Sequence, residues 1–270
     1  MAGQEFRTIE SLKHVRDNTV LVDGDTTLKN TVVEFHGVDN ILHLHGPVHL
    51  DGARLRFYGD GSVIHICQSK RTFRACVNIW HSGTFHIGQD HSFNGASSVI
   101  SISERSYVFI GDDAMFSQSV VIRTADPHLI FDCESGQRIN PTKPVIIGDH
   151  VWLGQEVNVL KGVTIGSGSI LAAGAMITKT LPSNAVAGGN PARVIKTGVF
   201  WSRTTVHAFR PLDTEASQHM SPTQFTYLPD NTDVLTHLRS RLTSETTAQQ
   251  RNDFLLEFDS LLTHGRLAVA

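Results

Sequence analysis

Between Arg123 and Pro144 the chain gathers residue types that move protons. His128 stands in Thr124-Ala-Asp-Pro-His128, with Asp126 two positions before it. A neutral imidazole, with an ordinary pKa of about 6.5, can take a proton from a hydroxyl and return it to a leaving group. Its plainer alternative is a polar loop residue. Asp126 is placed to hold the other ring nitrogen and fix the tautomer, or to stabilise a turn beside Pro127; a backbone carbonyl is a third way to orient the ring. Upstream, Val77-Asn-Ile-Trp80-His81 offers an indole that could stack on a sugar and an imidazole that could hydrogen-bond it, or simply core and surface side chains. Arg54, Arg56, Lys70, Arg71 and Arg74 form a local basic cluster that suits an anionic glycan or a solvated face. Histidine is abundant, with 15 in the chain. His81, His86 and His91 recur at regular spacing, with His45, His49 and His65 before them. Three neutral imidazoles around an open position suit catalytic zinc. The three cysteines, Cys67, Cys76 and Cys133, make no disulfide framework, Cys-x-x-Cys signature or nucleophile motif.

These residues need a frame, and the stretch Ile147 to Leu181 supplies one. Read in sixes it begins each unit with a branched aliphatic: Ile147, Leu153, Val159, Ile165, Leu171, Ile177. A period of six fits neither a helical stripe nor a simple alternating strand. It fits a solenoid of very short strands, three to a coil, with the first-position side chains pointing inward. Shorter alternations such as Thr31-Val-Val-Glu-Phe35, Ile41-Leu-His-Leu-His45 and Val63-Ile-His-Ile-Cys67 read as less regular coils of the same stack, apolar residues in and His or Arg out. The register slips near Glu104 to Val108, at a bulge or turn. It breaks from residue 123 to residue 144, where three prolines and a run of polar residues mark an extruded loop, and long loops on rigid scaffolds often carry function.

The expected organisation is an N-terminal segment over 1–27, a solenoid over 28–196 and a partly helical extension over 197–270. Thr8 to Asp17 reads as one short helix and Asp230 to Leu242 as another. Ser244 reads as the cap of a last helix whose apolar face is Phe254, Leu255, Phe258, Leu261 and Leu262, stopped at Gly265. That extension packs on the solenoid, mediates oligomer contacts or flanks the acceptor. The 270 residues carry a formal charge of -3, which gives no global pull toward nucleic acid or an anionic membrane. No signal-like apolar start and no membrane-length apolar run is visible, so the expected compartment is the cytoplasm.

The hexads, together with the tail Ala187-Gly-Gly-Asn-Pro-Ala-Arg-Val-Ile-Lys196, resemble the hexapeptide-repeat acyltransferases over roughly Ile110 to Lys196, and more faintly before that. The resemblance implies a mainly β fold, a left-handed parallel β-helix, with direct transfer from acetyl-CoA and no metal. It also implies a homotrimer whose sites lie between protomers. His128, several residues before the Ile147-Gly-Asp-x-Val-Trp152 coil, matches the family's catalytic base. Trp152 matches a tryptophan bordering pantetheine and acceptor, or it is only a corner aromatic. Gly154 and Ala173 match small residues along which a pantetheine arm lies, and a backbone N–H near Gly154 is the candidate oxyanion donor. Either small residue could instead be a requirement of the corner. Thr178 and Lys179 match a Thr-Lys pair near the cofactor, and Arg193 and Lys196 match basic residues that meet its phosphates. Gln155 departs from a serine found in some relatives, which leaves a side-chain contact there in doubt. The segment Arg123 to Trp152 looks like polysaccharide O-acetyltransferases, including those that modify capsular glycans. A sugar hydroxyl is therefore the expected acceptor, with Arg123, Trp80 and His81 as its candidate contacts. The competing readings are N-acetylation of an amino sugar or small amine, a zinc enzyme similar to the gamma-class carbonic anhydrases, and a solenoid that binds glycan without catalysis.

Overall fold

Inward aliphatics at every sixth residue cannot be buried by one coil alone, so the coils stack. In the computed structural model they do so as a three-sided prism, the left-handed parallel β-helix expected from the repeat. The structure describes residues 3–221, 225–227, 232–260 and 269. The first face is an eight-stranded sheet from Gln4–Phe6 to Met176–Ile177. The second is a seven-stranded sheet from Thr19–Val22 to Thr164–Ile165. The third is built in two pieces, one of three strands and one of six. Pairing between coils is parallel and in register, as at Ile110–Ile147 and Ile147–Ile165. The hexad leaders Ile147, Leu153, Val159, Ile165, Leu171 and Ile177 are all buried in one continuous core, each gaining about 1.5–3 kcal/mol from burial.

Coil length explains why the repeat is clear only late in the sequence. Asp149 stacks over Ser167 at a separation of 18, three hexads. Asn40 and Ser62, in the earlier coils, are 22 apart. Those longer coils place their additional residues at the corners, which hides the period without changing the core. Asp112 and Asp149 are 37 apart because the extruded loop lies between them. The slip near Glu104 is a turn with positive φ at Glu104 and Arg105.

The strand ladder reaches back to Thr19–Val22, which pairs with Ile41–His45, and to Thr27–Lys29. It therefore begins ahead of residue 28. Before it, Gln4–Phe6 runs antiparallel to Val32–Phe35, and helix α1 (Ile9–Leu12), capped by the Thr8 side chain, buries Leu12 over the first coil. The helix is shorter than expected, ending at Leu12, and the chain turns again at Asp17, whose φ is +56°.

After the solenoid, helix α2 (Pro211–Ala216) stands exposed, and α3 (Thr232–Ser244) and α4 (Ala248–Ser260) lie on the second face. Phe254, Leu255 and Phe258 pack with Leu238 and Leu242 on the outward residues Ile41, Val63, Tyr107, Phe109 and Ile146. The extension thus packs on the solenoid. Ser244 is the last residue of α3 and not a cap. Thr247 and Gln250 make the reciprocal capping box that starts α4. Leu261, Leu262 and Gly265 lie outside the described residues. Among the described residues no helix is long and apolar enough to cross a membrane.

Candidate active site

The extruded loop leaves the first face after Val121–Arg123 and re-enters the second face at Val145–Ile147. It therefore projects from the edge between those two faces. A small hairpin closes its tip: Ile139 N–H donates to Ile130 O at 2.9 Å, and Asp132 accepts from Ser135 N–H at 2.8 Å. Two polar clusters hold its base. Arg138 pairs with Glu104 through two parallel bonds of 2.9 Å, and the Thr142 hydroxyl donates to the same carboxylate. Arg138 first, then Thr142, hold the Glu104 carboxyl down at about 2. The second cluster centres on Asn140, which is buried. Its amide donates to His128 O at 2.8 Å and to Asp126 at 3.1 Å, and its carbonyl oxygen accepts from Ile130 N–H at 2.8 Å.

The His128 backbone is therefore fixed while its side chain stands exposed at the edge. Asp126 does not orient that ring, contrary to the pairing suggested by its position. Its carboxylate accepts from Lys161 at 2.6 Å and from Asn140, and these two, in that order, keep it ionised below the usual range. Among the described residues, neither ring nitrogen of His128 has a hydrogen-bond partner.

Beside the loop lies a cleft of about 470 Å³ lined by Trp80, His81, Arg123, Asp126, Pro127 and Leu129, with Glu104 and Arg138 at its wall. All three candidate acceptor residues are here. Trp80 and His81 come from one coil and Arg123 from the next but one, all turning at the same edge. Tyr58 stacks on Trp80 at 5.2 Å, while Trp80 lines the cleft. Arg123 makes no ion pair among the described residues. Within the basic cluster Arg56 is paired with Glu34 and Arg74 with Asp51, which offsets two of its five charges.

The candidate donor residues fall into two groups. Thr178 and Lys179 follow Met176–Ile177 and are exposed on the same edge as His128. Trp152, Gly154, Ala173, Arg193 and Lys196 lie on the third face or at its edge with the first. A single side groove does not collect them all. The reason is the hexad: a step of 18 keeps a corner, whereas a step of six moves to the next face. Trp152 is 37% exposed, and its indole N–H donates to Ser117 at 3.3 Å. Gly154 is held by the ladder. Its own N–H donates to Leu171 O at 2.9 Å and is committed to the coil ladder, so an oxyanion donor near Gly154 would have to be another backbone N–H. A Cβ there would sit 2.5 Å from Leu171 O, so this glycine answers to stacking. Arg193 and Lys196 sit on the antiparallel strand Ala192–Thr197 that ends the face, both exposed.

The sequence reading missed a strap beside Trp152. Trp201 is buried, stacks on His150 at 4.0 Å and lies 6.0 Å from Trp152. Its indole donates to His150 O at 2.8 Å. Arg203 next to it binds the Asp113 carboxylate, and reaches Ser92 at 2.7 Å. Asp113 also meets His150 Nδ1 at 2.5 Å. The sequence signal was a tryptophan and an arginine in a segment that otherwise looked irregular. Asn140, Lys161, Glu104 and Arg138 were missed as well, because their roles exist only once the loop folds back. The three regularly spaced histidines do not converge. His86 is buried beneath α4's face, His81 is exposed at the cleft, and His91 is buried at a third position. There it bonds Gly88 O at 2.8 Å, and burial pushes its pKa down to about 4.

Comparison with known proteins places this architecture. The model of the bacterial transferase hexapeptide, six repeats, matches residues 144–179. A solved structure of the polySia-specific acetyltransferase NeuO is 31% identical, with a TM-score of 0.65, and the match covers 74% of this chain and 95% of that one. The chain belongs to the hexapeptide-repeat acyltransferases. The polysialic acid O-acetyltransferase OatWY shares the fold at 24% identity and a TM-score of 0.60, with 74% and 96% coverage. The polysialic acid O-acetyltransferase of Escherichia coli O1:K1 is 38% identical over 103 residues, 38% of this chain and about a third (34%) of that protein's length. That of Neisseria meningitidis is 27% identical over 146 residues, 54% of this chain and 67% of that protein.

Proposed function

We propose that this protein is an acetyl-CoA-dependent O-acetyltransferase whose acceptor is a hydroxyl of an acidic polysaccharide, with polysialic acid the first candidate. The observation that carries this is the loop-edge cleft. His128 is held by its backbone and exposed on the loop, and its two chain neighbours, Pro127 and Leu129, line the cleft that presents Trp80, His81 and Arg123. An indole suits a sugar ring, and an unpaired guanidinium suits its carboxylate. The names of the relatives point to the same acceptor class.

In this mechanism a neutral His128 nitrogen accepts the hydroxyl proton as the oxygen attacks the thioester carbonyl, and the imidazolium then protonates the departing thiolate. Both substrates are held together, so transfer is direct. Trp152 and the Arg193/Lys196 hairpin serve the donor, the cations meeting its phosphates. On one chain they lie on a different face from His128, which favours a site completed between copies of a homotrimer. Exposed Leu129, Ile130, Phe131 and Ile139 on the loop would be covered there; their exposures run from 48% to 60%.

The test is acetyl transfer from labelled acetyl-CoA to polysialic acid, with a neutral polysaccharide and an amino sugar as parallel acceptors. NMR would locate the new ester. Wild type should label the acidic polymer and His128→Ala should not. An equally active His128→Ala would remove the base, and preferential labelling of the amino sugar would make this an N-acetyltransferase.

A further inference from the structure

A second constellation lies away from the cleft, on the second face. Residues of Ile41–His45 pair in parallel with Val63–Cys67, which puts His43 beside His65 and His45 beside Cys67. The next strand adds His86 beside His65. The sequence signal is His43-x-His45 repeated one coil later as His65-x-Cys67. Both pairs occupy alternate, outward positions, because the intervening Leu44 and Ile66 point into the core. Filling space does not require these residue types. In the following coils the equivalent position is taken by Phe109 and then Ile146.

The donor atoms of His45, His65 and Cys67 lie within 4.8 Å of one another. His65 and Cys67 are buried, and His45 is half-buried. In a tetrahedral zinc site with Zn–N of ~2.0–2.1 Å and Zn–S of ~2.3 Å, the donors stand roughly 3.5 Å apart. Modest side-chain rotation closes the difference. We propose that His45, His65 and Cys67 bind a zinc ion that clamps two adjacent coils together, with water as a fourth ligand on the half-exposed His45 side.

The chemistry of the set agrees with that choice. Two imidazoles and one thiolate match zinc in preference to the hard, oxygen-seeking cations. Metal binding displaces the Cys67 thiol proton to solvent and leaves the sulfur as thiolate. His86 supplies the outer support. Its Nδ1 lies 2.9 Å from Nδ1 of His65, so one ring donates and the other accepts. With His65 donating, its Nε2 keeps the lone pair a metal needs. His43 is not a ligand, since it is held between Asn252 at 3.0 Å and Asp23 at 3.1 Å. His49, near in sequence, sits on the third face at 3.0 Å from the Thr27 hydroxyl. The proposed ion is remote from His128 and takes no part in acyl transfer.

The experiment uses the full chain without a polyhistidine tag, dialysed against micromolar zinc, desalted and analysed by mass spectrometry for metal. The expected result is about one zinc per chain. Affinity should fall by about a hundredfold or more in Cys67→Ser and in His45→Ala, and stay unchanged in His49→Ala and His128→Ala. Replacement by cobalt should give a thiolate-to-cobalt charge-transfer band, absent in Cys67→Ser. Circular dichroism checks the fold of each variant; if a ligand variant misfolds, the wild-type cobalt spectrum decides. No retained zinc, unchanged zinc in both ligand variants, or a cobalt adduct without the thiolate band each overturns the proposal. Because metal is read without substrate, failure here leaves the transferase reading intact.

Discussion

Asn140→Ala tests how this loop presents its histidine. Asn140 is buried and its side chain makes bonds of 2.8 Å to His128 O, 2.8 Å from Ile130 N–H and 3.1 Å to Asp126. A neutral hydrogen bond contributes about 0.5–1.5 kcal/mol net, and one to a charged group about 1.5–3. Losing the set costs roughly 3 kcal/mol of loop closure, discounted because the Asp126 carboxylate is partly exposed and keeps Lys161. Since ~1.4 kcal/mol is a tenfold change in population, a loop formerly closed nearly all the time becomes open for a large part of it. Acetyl transfer measured as kcat/KM should fall about 10- to 100-fold. Hydrogen exchange over residues 128–140 should quicken, while the melting temperature changes little because the loop stands outside the core. Asn140→Asp keeps an acceptor for Ile130 but removes both donors and faces Asp126 with a second carboxylate, so it should be at least as damaging. A rate within threefold of wild type with unchanged exchange would refute the idea that Asn140 positions His128.

Acid should loosen the same loop. Arg138 and Thr142 hold the Glu104 carboxyl down at about 2 in the fold, against an ordinary value of 4.5 when unfolded, so its stabilisation is present above 4.5 and fades as pH falls toward 2. Trp80 fluorescence should report cleft opening across that window, and the response should vanish in Glu104→Gln. His91 carries the opposite charge type: burial holds it neutral down to about 4, so unfolding takes up a proton between 6.5 and 4 and stability declines as pH falls through that range. His91→Leu should flatten that slope in chemical denaturation, although it gives up the bond to Gly88. Arg193→Ala combined with Lys196→Ala should raise the KM for acetyl-CoA about tenfold and leave kcat nearly unchanged; a pure kcat loss would take these cations away from the phosphates. Phe254→Ala, which packs on Phe258 and through it on Phe109, should cost about 3–5 kcal/mol of stability and leave KM for the acceptor unchanged.

The sequence alone determined the solenoid, because burial of every sixth side chain is a local, periodic requirement written in Ile147, Leu153 and Val159. It also marked the loop, since Pro141 and Pro144 cannot continue a ladder that needs their N–H groups. His128, Trp80, His81 and Arg123 were legible as residue types, and their common edge follows from coil length once the corners are known. Tertiary structure decided the rest. Asp126 went to Lys161, because that partner from another coil reaches it at 2.6 Å. Gly154 proved to serve stacking, which depends on how close Leu171 comes in the coil beside it. Trp152 and Arg193 landed on another face from His128, and α4 covered the histidines of the second face. Each of these depends on which coils become neighbours. That is set by contacts far apart in sequence, and the hexad period says nothing about them.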